Sequence, residues 1–321
     1  MIRKILFIIL LLPLISFGQS ISNYMPMLAL TKLSGKDLLL LRSFKKLDST
    51  YYLAVNLQTM ATTVIPAKNL KSKPSDWPSL NTSYINSPYI KALIDAKKQN
   101  LSSQDAGIAH GYPLEKGITL TIDLCPSHKP LDREVFTSLI TGLKNIENPV
   151  PVGLSLSGKF LLNHAADVDW LLDKVKNKEL AITWINHTYH HYYQPGLALQ
   201  ENFLLKPGTN LDVEVLGNEK AMLEHGIVPS IFFRFPGLVS DQRLVDKIIN
   251  YGLIPIGSDA WLAKGQQAAK GSIVLIHGNG NEPLGVADFL QLLRNNQKAI
   301  SHKQWLLFDL SATIGEEEGH E

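Results

Sequence analysis

From about residue 115 onward, the chain alternates short apolar segments with longer amphipathic ones. The apolar segments are rich in β-branched residues and predict buried strands at 118–122, 150–156, 180–185, 230–233, 253–256, 273–276 and 305–310. The segments between them show helical periodicity and predict helices at 133–144, 168–176, 213–225, 241–251 and 286–296. Strands that alternate with helices form a parallel sheet covered by helices, so the pattern predicts an α/β fold. About seven such strands are enough to close, or nearly close, a barrel.

The region from 19 to 114 has a mixed pattern. Its segment 51–66 is rich in β-branched and aromatic residues and predicts a strand, whereas 71–88 contains three prolines and predicts a loop. Segment 89–98 predicts a short helix. No chemical motif occurs in this region, and we interpret 19–114 as a small N-terminal accessory or cap region.

Residues 1–18 have the organisation of a secretory signal peptide. Two basic residues precede an apolar stretch at 5–17, and small residues stand before the expected cleavage site after Gly18. The stretch is shorter than the roughly 20 apolar residues of a membrane-spanning helix, and Pro13 interrupts it. We therefore expect an exported protein, periplasmic or extracellular, without stable membrane insertion after cleavage. An uncleaved N-terminal anchor is the alternative.

The composition of the chain excludes several classes of protein. The 321 residues include 31 basic and 29 acidic side chains, and loss of Arg3 and Lys4 with the signal peptide leaves 29 of each. Such a neutral chain lacks the basic excess of a nucleic-acid-binding protein. A hydrophobic content of 45% and a charged content of 19% exclude an acidic disordered protein. The single cysteine, Cys125, excludes an internal disulfide framework, and 313–321 is an acidic tail.

Chemically capable side chains follow five of the predicted strands. They are Asp123 after the first, His187 and His191 after the third, Arg234 after the fourth, Asp259 and Trp261 after the fifth, and His277 after the sixth. Because the carboxyl ends of the strands of a barrel meet at one face, we expect these side chains to lie together. The four-residue spacing of the two histidines would place both imidazoles on one side of a helical turn, which suits a divalent metal ion.

In this order, the five segments resemble the motifs of the polysaccharide deacetylases, the NodB-homology group of carbohydrate esterase family 4. The segment Thr-Ile-Asp-Leu-Cys-Pro, which starts at residue 121, is similar to the first motif, usually Thr-Phe-Asp-Asp-Gly-Pro. Asn-His-Thr-Tyr-His-His and Arg-Phe-Pro-Gly are similar to the second and third motifs. Ser-Asp-Ala-Trp is similar to the fourth and Ile-Val-Leu-Ile-His to the fifth. The resemblance spans about 117–310, and we assign a deacetylase-like domain to 115–312.

The resemblance implies a distorted (β/α)7 barrel and an exported hydrolase that removes acetyl groups from an N- or O-acetylated carbohydrate, its expected partner. It also implies a role for each matching residue. Asp123 would be the general base, His277 the general acid, and Arg234 would hold the base ionised. His187 and His191 would bind a metal ion, and Trp261, Pro236 and Tyr189 would contact substrate. Tyr192 and Tyr193 are further candidates for stacking on sugar rings.

One departure from the family pattern concerns the metal. The third ligand of the family is the second aspartate of its first motif, and Leu124 stands at that position here. Cys125, His190 and Asp259 are candidates to replace it, and a cysteine thiolate would favour zinc. Three interpretations remain open on the sequence: a hydrolase with a bound divalent metal, a metal-independent amidase of the same superfamily, and an inactive glycan-binding barrel. The sequence does not identify the acetylated substrate.

Overall fold

The structure is a computed structural model that describes residues 20–99 and 104–314. The predicted signal peptide and the end of the acidic tail lie outside the described residues. Within the described ranges, no helix is both long enough and apolar enough to cross a membrane.

The N-terminal region forms an antiparallel sheet followed by two helices. Its strands are β1 (Ile21–Leu33), β2 (Lys36–Lys46), β3 (Ser49–Asn56), β4 (Thr62–Pro66) and β5 (Ser72–Pro74), in the spatial order β4-β3-β2-β1-β5. The helices are α1 (Trp77–Ser83) and α2 (Pro88–Lys98). The predicted helix at 89–98 is confirmed, and the predicted strand at 51–66 is a hairpin of two strands. The predicted loop at 71–88 is wrong in part because it contains β5 and α1. Asp76 caps α1 and Pro78 occupies its first turn, where proline is tolerated.

The larger part of the chain forms a parallel sheet of seven strands in the order β10-β9-β8-β7-β6-β12-β11. The strands are β6 (Gly117–Leu124), β7 (Val150–Leu156), β8 (Leu180–Asn186), β9 (Phe232–Phe233), β10 (Ile254–Pro255), β11 (Ala260–Trp261) and β12 (Ile273–His277). The helices of this part are α3 (Arg133–Leu143), α4 (Gly158–Asn163), α5 (Ala165–Lys176), α6 (Leu211–Glu224), α7 (Gln242–Asn250), α8 (Pro283–Ser301) and α9 (Leu310–Thr313). The predicted α/β fold with a parallel sheet of seven strands is confirmed.

One of the seven strands of the sheet is formed by a different segment from the one predicted. Segment 305–310 supplies only the two-residue strand β13 (Leu306–Leu307), which pairs with the first residues of β6 outside the main strand order. The seventh strand of the sheet is β11, which pairs in parallel with β12. β11 is as short as β9 and β10, but the segment around it contains no β-branched residue, so it lacks the strand signal that those two strands carry.

Alternation along β6 directs its side chains to two different environments. Leu120, Ile122 and Leu124 belong to the apolar cluster that includes residues of α3, α5 and α8, whereas Thr121 and Asp123 point to the other face of the sheet. On that face, the Thr121 hydroxyl donates to the carbonyl of Val274 and accepts from Arg234. The outer face of β6 thus supplies the core, and the inner face supplies the polar groups of the site.

The segment 107–110 connects the N-terminal region to the larger part of the chain. It lies across the gap between the sheet edges β10 and β11. Ile108 bridges in parallel to Ile256 just after β10, and His110 bridges to Ser272 just before β12. Gly107 has a φ of +99°, and a β-carbon at this position would lie 2.3 Å from the carbonyl oxygen of Pro255. The segment is therefore packed backbone against backbone along the open side of the sheet.

The N-terminal region also contacts the larger part through a buried ion pair. Arg42 on β2 and Glu219 on α6 form two hydrogen bonds, of 2.7 Å from Nε and 2.9 Å from Nη2. The hydroxyl of Tyr24 donates to the same carboxylate, and Arg42 Nη1 donates to the carbonyl of Tyr251. Each of these buried polar groups therefore has a hydrogen-bond partner, as buried charges require.

Candidate functional site

Asp123 stands at the end of β6 in the middle of a row of three polar residues. The parallel register pairs Asp123 with Ser155 of β7 on one side and with His277 of β12 on the other. Its side chain is 3% exposed, and Oδ2 lies 3.7 Å from Nε2 of His187. Burial alone would raise the pKa of Asp123, but the positive charges of His187 and Arg234 outweigh it and lower that pKa. The carboxylate is therefore held in its ionised form.

His187 and His191 meet through an irregular loop and not through a helix. No helical turn covers 187–191; instead, Thr188 and His191 adopt left-handed backbone conformations, with φ of +68° and +48°. This turn brings the two ring centroids to 4.7 Å from each other. The prediction that a helical turn explains the spacing is wrong, although the two imidazoles do lie side by side.

One ring nitrogen of His187 is fixed by the backbone, and the other faces the site. Nδ1 donates to the carbonyl of Arg234 at 3.0 Å, so in the neutral imidazole Nε2 would be the nitrogen that offers a lone pair to a metal ion. That Nε2 lies 3.5 Å from Sγ of Cys125. A backbone carbonyl that fixes the tautomer of a histidine in this way is the usual support of a metal-binding imidazole.

Cys125 completes a cluster with the two histidines. One ligand atom from each of Cys125, His187 and His191 lies within 4.8 Å of the others. Nε2 of His191 is buried and has no hydrogen-bond partner among the described residues. Burial alone would raise the pKa of the Cys125 thiol, but His191, His277 and His187 outweigh it and hold that pKa well below its usual range.

The donor set of this cluster fits zinc. One thiolate and two imidazoles are ligands that zinc prefers, and three protein ligands leave a fourth position open, as in catalytic zinc sites. Nε2 of His191 has no hydrogen-bond partner among the described residues, and such an ion would supply one. We conclude that the residues present fit a metal ion.

The other candidates for the third ligand lie elsewhere. Asp259 accepts from the backbone N–H of Ile273, at the opposite end of β12 from His277, and its Oδ2 is 2.7 Å from Nδ1 of His110. His190 is paired with Glu214, 2.8 Å away. Neither Asp259 nor His190 belongs to the cluster, because both side chains are paired with other residues.

Leu124, at the position of the family's second aspartate, points away from the site. Its side chain is fully buried in the apolar cluster between the sheet and its helices. Cys125 is the next residue along the chain and therefore emerges on the same side as Asp123. The side of the strand on which a residue lies, and not its alignment with the family motif, determines which residue faces the histidines.

Arg234 contributes charge to the site without a direct bond to Asp123. The guanidinium is fully buried, and Nη2 donates to the hydroxyl of Thr121 at 2.9 Å. Nε and Nη1 have no hydrogen-bond partner among the described residues. Burial alone would raise the pKa of Asp123, and the charge of Arg234 opposes that rise together with the charge of His187. Its backbone carbonyl also orients His187.

His277 is paired with a carboxylate that the sequence interpretation missed. Its Nδ1 lies 2.8 Å from Oε2 of Glu282, and Nε1 of Trp261 donates to the same oxygen at 2.7 Å. Burial alone would lower the pKa of His277, but the Cys125 thiolate and the Glu282 carboxylate outweigh it and hold that pKa well above its usual range. The sequence feature that could have indicated this pair is a glutamate five positions after the histidine, across a glycine-rich turn.

A cavity of about 570 Å³ opens onto this cluster, and Cys125, His191, His277 and Trp261 contribute to its lining. The rings of Trp261 and His277 are 5.9 Å apart between centroids. Pro236 lines an adjacent cavity of about 400 Å³. Tyr189, by contrast, packs on Gly158, where a β-carbon would lie 2.4 Å from its ring, and lines neither cavity. The expected substrate contact of Tyr189 therefore has no support in the geometry.

No protein-family model matches the sequence. Among solved structures, the chain is similar to a family 4 carbohydrate esterase from Bacillus anthracis, with 17% identity, a TM-score of 0.47, and coverage of 68% of this chain and 90% of that one. It is also similar to the chitin deacetylase of the fungal pathogen Colletotrichum lindemuthianum (16% identity, TM-score 0.40, 67% and 97% coverage). A pseudoenzyme of the same carbohydrate esterase family from Bacillus anthracis is similar as well (18% identity, TM-score 0.44, 68% and 70% coverage).

Proposed function

We propose that this chain is a hydrolase that removes acetyl groups from an N- or O-acetylated carbohydrate. The observation that carries the proposal is the convergence of an ionised carboxylate, a carboxylate-paired histidine and a Cys-His-His cluster at one end of the parallel sheet. Hydrolysis of an acetyl group needs a base that activates water and an acid that protonates the leaving amine or alcohol. Asp123 and His277 are neighbours in the strand register and suit these two roles.

In the proposed reaction, Asp123 accepts a proton from the attacking water. Burial alone would raise the pKa of Asp123, but the charge of the buried Arg234 guanidinium favours the ionised carboxylate, so Asp123 is ready as a base. His277 donates a proton to the leaving nitrogen or oxygen, and the carboxylate of Glu282, 2.8 Å from Nδ1, favours the protonated imidazole. Trp261, 9% exposed and beside His277, would form the wall against which the acetyl methyl packs.

Cys125, His187 and His191 would hold the metal ion, and zinc fits this donor set. A zinc ion bound there would polarise the acetyl carbonyl and lower the pKa of water. The thiolate distinguishes this site from one made of a carboxylate and two imidazoles, because sulfur ligands favour zinc over magnesium or calcium. We also propose that the protein acts outside the cytoplasm, on the strength of the signal-peptide pattern at 1–18.

The proposal is tested by elemental analysis of the purified protein together with acetate release from a panel of acetylated glycans. We expect about one equivalent of zinc per chain and acetate release from at least one substrate. Asp123→Asn should lower kcat by about 10²- to 10⁴-fold. The matched control is Asp169→Asn, on the exposed face of α5, which should leave kcat as in the wild type.

The identity of the third ligand has its own readout. In protein loaded with Co²⁺, a thiolate-to-cobalt absorption band should be present and should disappear in Cys125→Ser. The same variant should bind zinc at least about 10- to 100-fold more weakly. Acetate release with no metal bound would overturn the metal-dependent mechanism, and carbohydrate binding without acetate release would overturn the hydrolase.

A further inference from the structure

Charge is divided unequally between the two parts of the chain. Residues 20–99 contain ten lysines and one arginine but only four aspartates and no glutamate, which gives a net charge of +7. Residues 100–321 carry 18 basic and 25 acidic side chains, a net charge of −7. The neutral balance of the expected mature chain is therefore the sum of a basic N-terminal region and an acidic larger part. Such an asymmetry attracts anions to one part of the molecule.

Three lysines of the N-terminal region line one groove, which we call the lysine groove. It has a volume of about 570 Å³ and lies where the β1–β5 edge of the sheet meets the end of α1. Lys32 near the end of β1 and Lys71 and Lys73 at β5 contribute to its lining, and all three residues are exposed. Ser83 and Tyr84 line it from the side of α1. The groove thus combines three ammonium groups with hydroxyl-bearing side chains.

The pairing of β1 with β5 brings these three positive charges to one face. Ser72 pairs with Thr31, so the residues on either side of Ser72, Lys71 and Lys73, point to the same face as Lys32. Lys32 and Lys71 follow the paired residues and are neighbours across the two strands. Like charges in such positions destabilise a sheet, and an anion placed between them would remove the repulsion.

Little within the molecule neutralises the charge of the lysine groove. Asp37 on β2 lies 3.5 Å from Lys32, but both side chains are exposed, and exposed pairs interact weakly. Neither Lys71 nor Lys73 has an ion-pair partner in the part of the chain that the structure describes. Lys97 on α2, in contrast, has an aspartate of α7 as its partner at 3.2 Å. The groove therefore keeps at least two ammonium groups for an external anion.

The shape of the lysine groove favours a linear chain over a flat surface. A lipid bilayer is broad and meets protruding side chains, whereas a groove can enclose a polymer and contact its successive charges. Lys71 and Lys73 are two strand residues apart, or about 7 Å, which is on the scale of a sugar unit. The hydroxyl groups of Ser83 and Tyr84 can each donate and accept hydrogen bonds, as sugar hydroxyls require.

We propose that the lysine groove binds an anionic polysaccharide, whose carboxylate groups pair with Lys32, Lys71 and Lys73. This goes beyond the proposed hydrolase, because the groove shares no lining residue with either cavity of the candidate site. The N-terminal region would then hold the protein on an acidic glycan, while the larger part acts on its own substrate.

Calorimetric titration of the full chain with polygalacturonate, which carries one carboxylate per sugar, tests the proposal. The wild type should bind this polymer and should not bind its methyl-esterified form, in which the charges are masked. Binding should weaken between about 50 and 300 mM NaCl, because salt screens exposed charges. Replacement of Lys32, Lys71 and Lys73 by glutamine in one variant should raise Kd by about 3- to 100-fold. Replacement of the same three residues by arginine keeps the charge and should retain the wild-type Kd.

The matched control removes the same charge from the larger part of the chain. It combines Lys116→Gln, Lys144→Gln and Lys298→Gln, all at exposed positions outside the groove, and should retain the wild-type Kd. An equal rise of Kd in the two glutamine variants would overturn the inference, as would a wild type that does not bind polygalacturonate. Stronger binding to phosphatidylglycerol vesicles than to the polymer would also overturn it, in favour of a membrane. None of these measurements uses acetate release, so a failure of the proposed hydrolase leaves the result unchanged.

Discussion

His277 and Glu282 form an ion pair across the turn that follows the last long strand of the parallel sheet. Nδ1 of His277 and Oε2 of Glu282 are 2.8 Å apart, and Nε1 of Trp261 donates to the same carboxylate oxygen. The pair places a negative charge beside one nitrogen of the imidazole. A carboxylate in this position also stabilises the imidazolium form that a general acid needs.

Glu282→Gln should therefore weaken catalysis more than substrate binding. The amide keeps the shape of the side chain but lacks the charge that orients and stabilises protonated His277. We expect kcat for acetate release to fall by at least about tenfold with little change in KM. Steady-state kinetics of the folded variant measure both constants. Glu115→Gln removes an exposed carboxylate just before β6 and serves as the control; equal kcat values in the two variants would contradict the role of Glu282.

Leu124→Asp should not rebuild the family's metal site. In the resemblance, an aspartate at 124 would be the missing ligand, but the side chain of Leu124 lies in the apolar cluster behind the sheet. We expect a loss of about 2–5 kcal/mol in the free energy of unfolding, because a carboxyl group would be buried without partners. Urea unfolding and zinc content of the purified variant measure the two effects. Leu124→Met is the control, and a rise in zinc content in Leu124→Asp would contradict the assignment of Cys125.

The regular part of the fold was predictable because its strands are buried on both faces. Segment 150–156 coincides with β7 in full, since a run of apolar residues between two turns has few other structures available. β11 was not predictable, because the segment around its two residues contains no β-branched residue of the kind that indicates β9 and β10. Nor was the antiparallel pairing of β1 and β2, whose burial does not alternate simply along either strand.

The candidate site was predictable to the extent that strand ends converge. Asp123, His187 and His277 were placed together by the topology of the sheet, as expected for residues that follow parallel strands. The identity of the third ligand depended on which way the chain turns after Asp123, and a sequence motif does not contain that information. The role of Glu282 was not predicted, because its contact with His277 depends on how the glycine-rich turn between the two residues folds.

Gly107→Ala should destabilise the protein through the segment that lies across the sheet edges. A β-carbon at Gly107 would lie 2.3 Å from the carbonyl oxygen of Pro255, and the backbone φ of +99° disfavours any side chain. Gly35 has a φ of +79° but has no atom within 4 Å of the corresponding position. We expect Gly107→Ala to cost about 1–3 kcal/mol more than Gly35→Ala in urea unfolding. Equal losses would contradict tight packing of this segment.

Glu147→Gln should make stability less dependent on pH. Burial raises the pKa of Glu147 to about 7 and outweighs the hydrogen bond that its carboxylate accepts from the N–H of Leu307. In the unfolded chain, the pKa of a glutamate is about 4.3. Between these two values, the folded wild type retains a proton that the unfolded chain has released, so its stability falls as the pH rises through this window. Above pH 7, the folded protein carries a buried charge.

We therefore expect Glu147→Gln to be more stable relative to the wild type at pH 8 than at pH 4.5, with a difference of about 1–3 kcal/mol. Urea unfolding at the two pH values measures it, with Glu134→Gln on the exposed surface of α3 as the matched control. The amide cannot ionise, so the variant loses the fall in stability that the titration of Glu147 imposes. A difference between the two pH values that matches that of Glu134→Gln would show that the carboxyl of Glu147 titrates alike in the folded and unfolded chains.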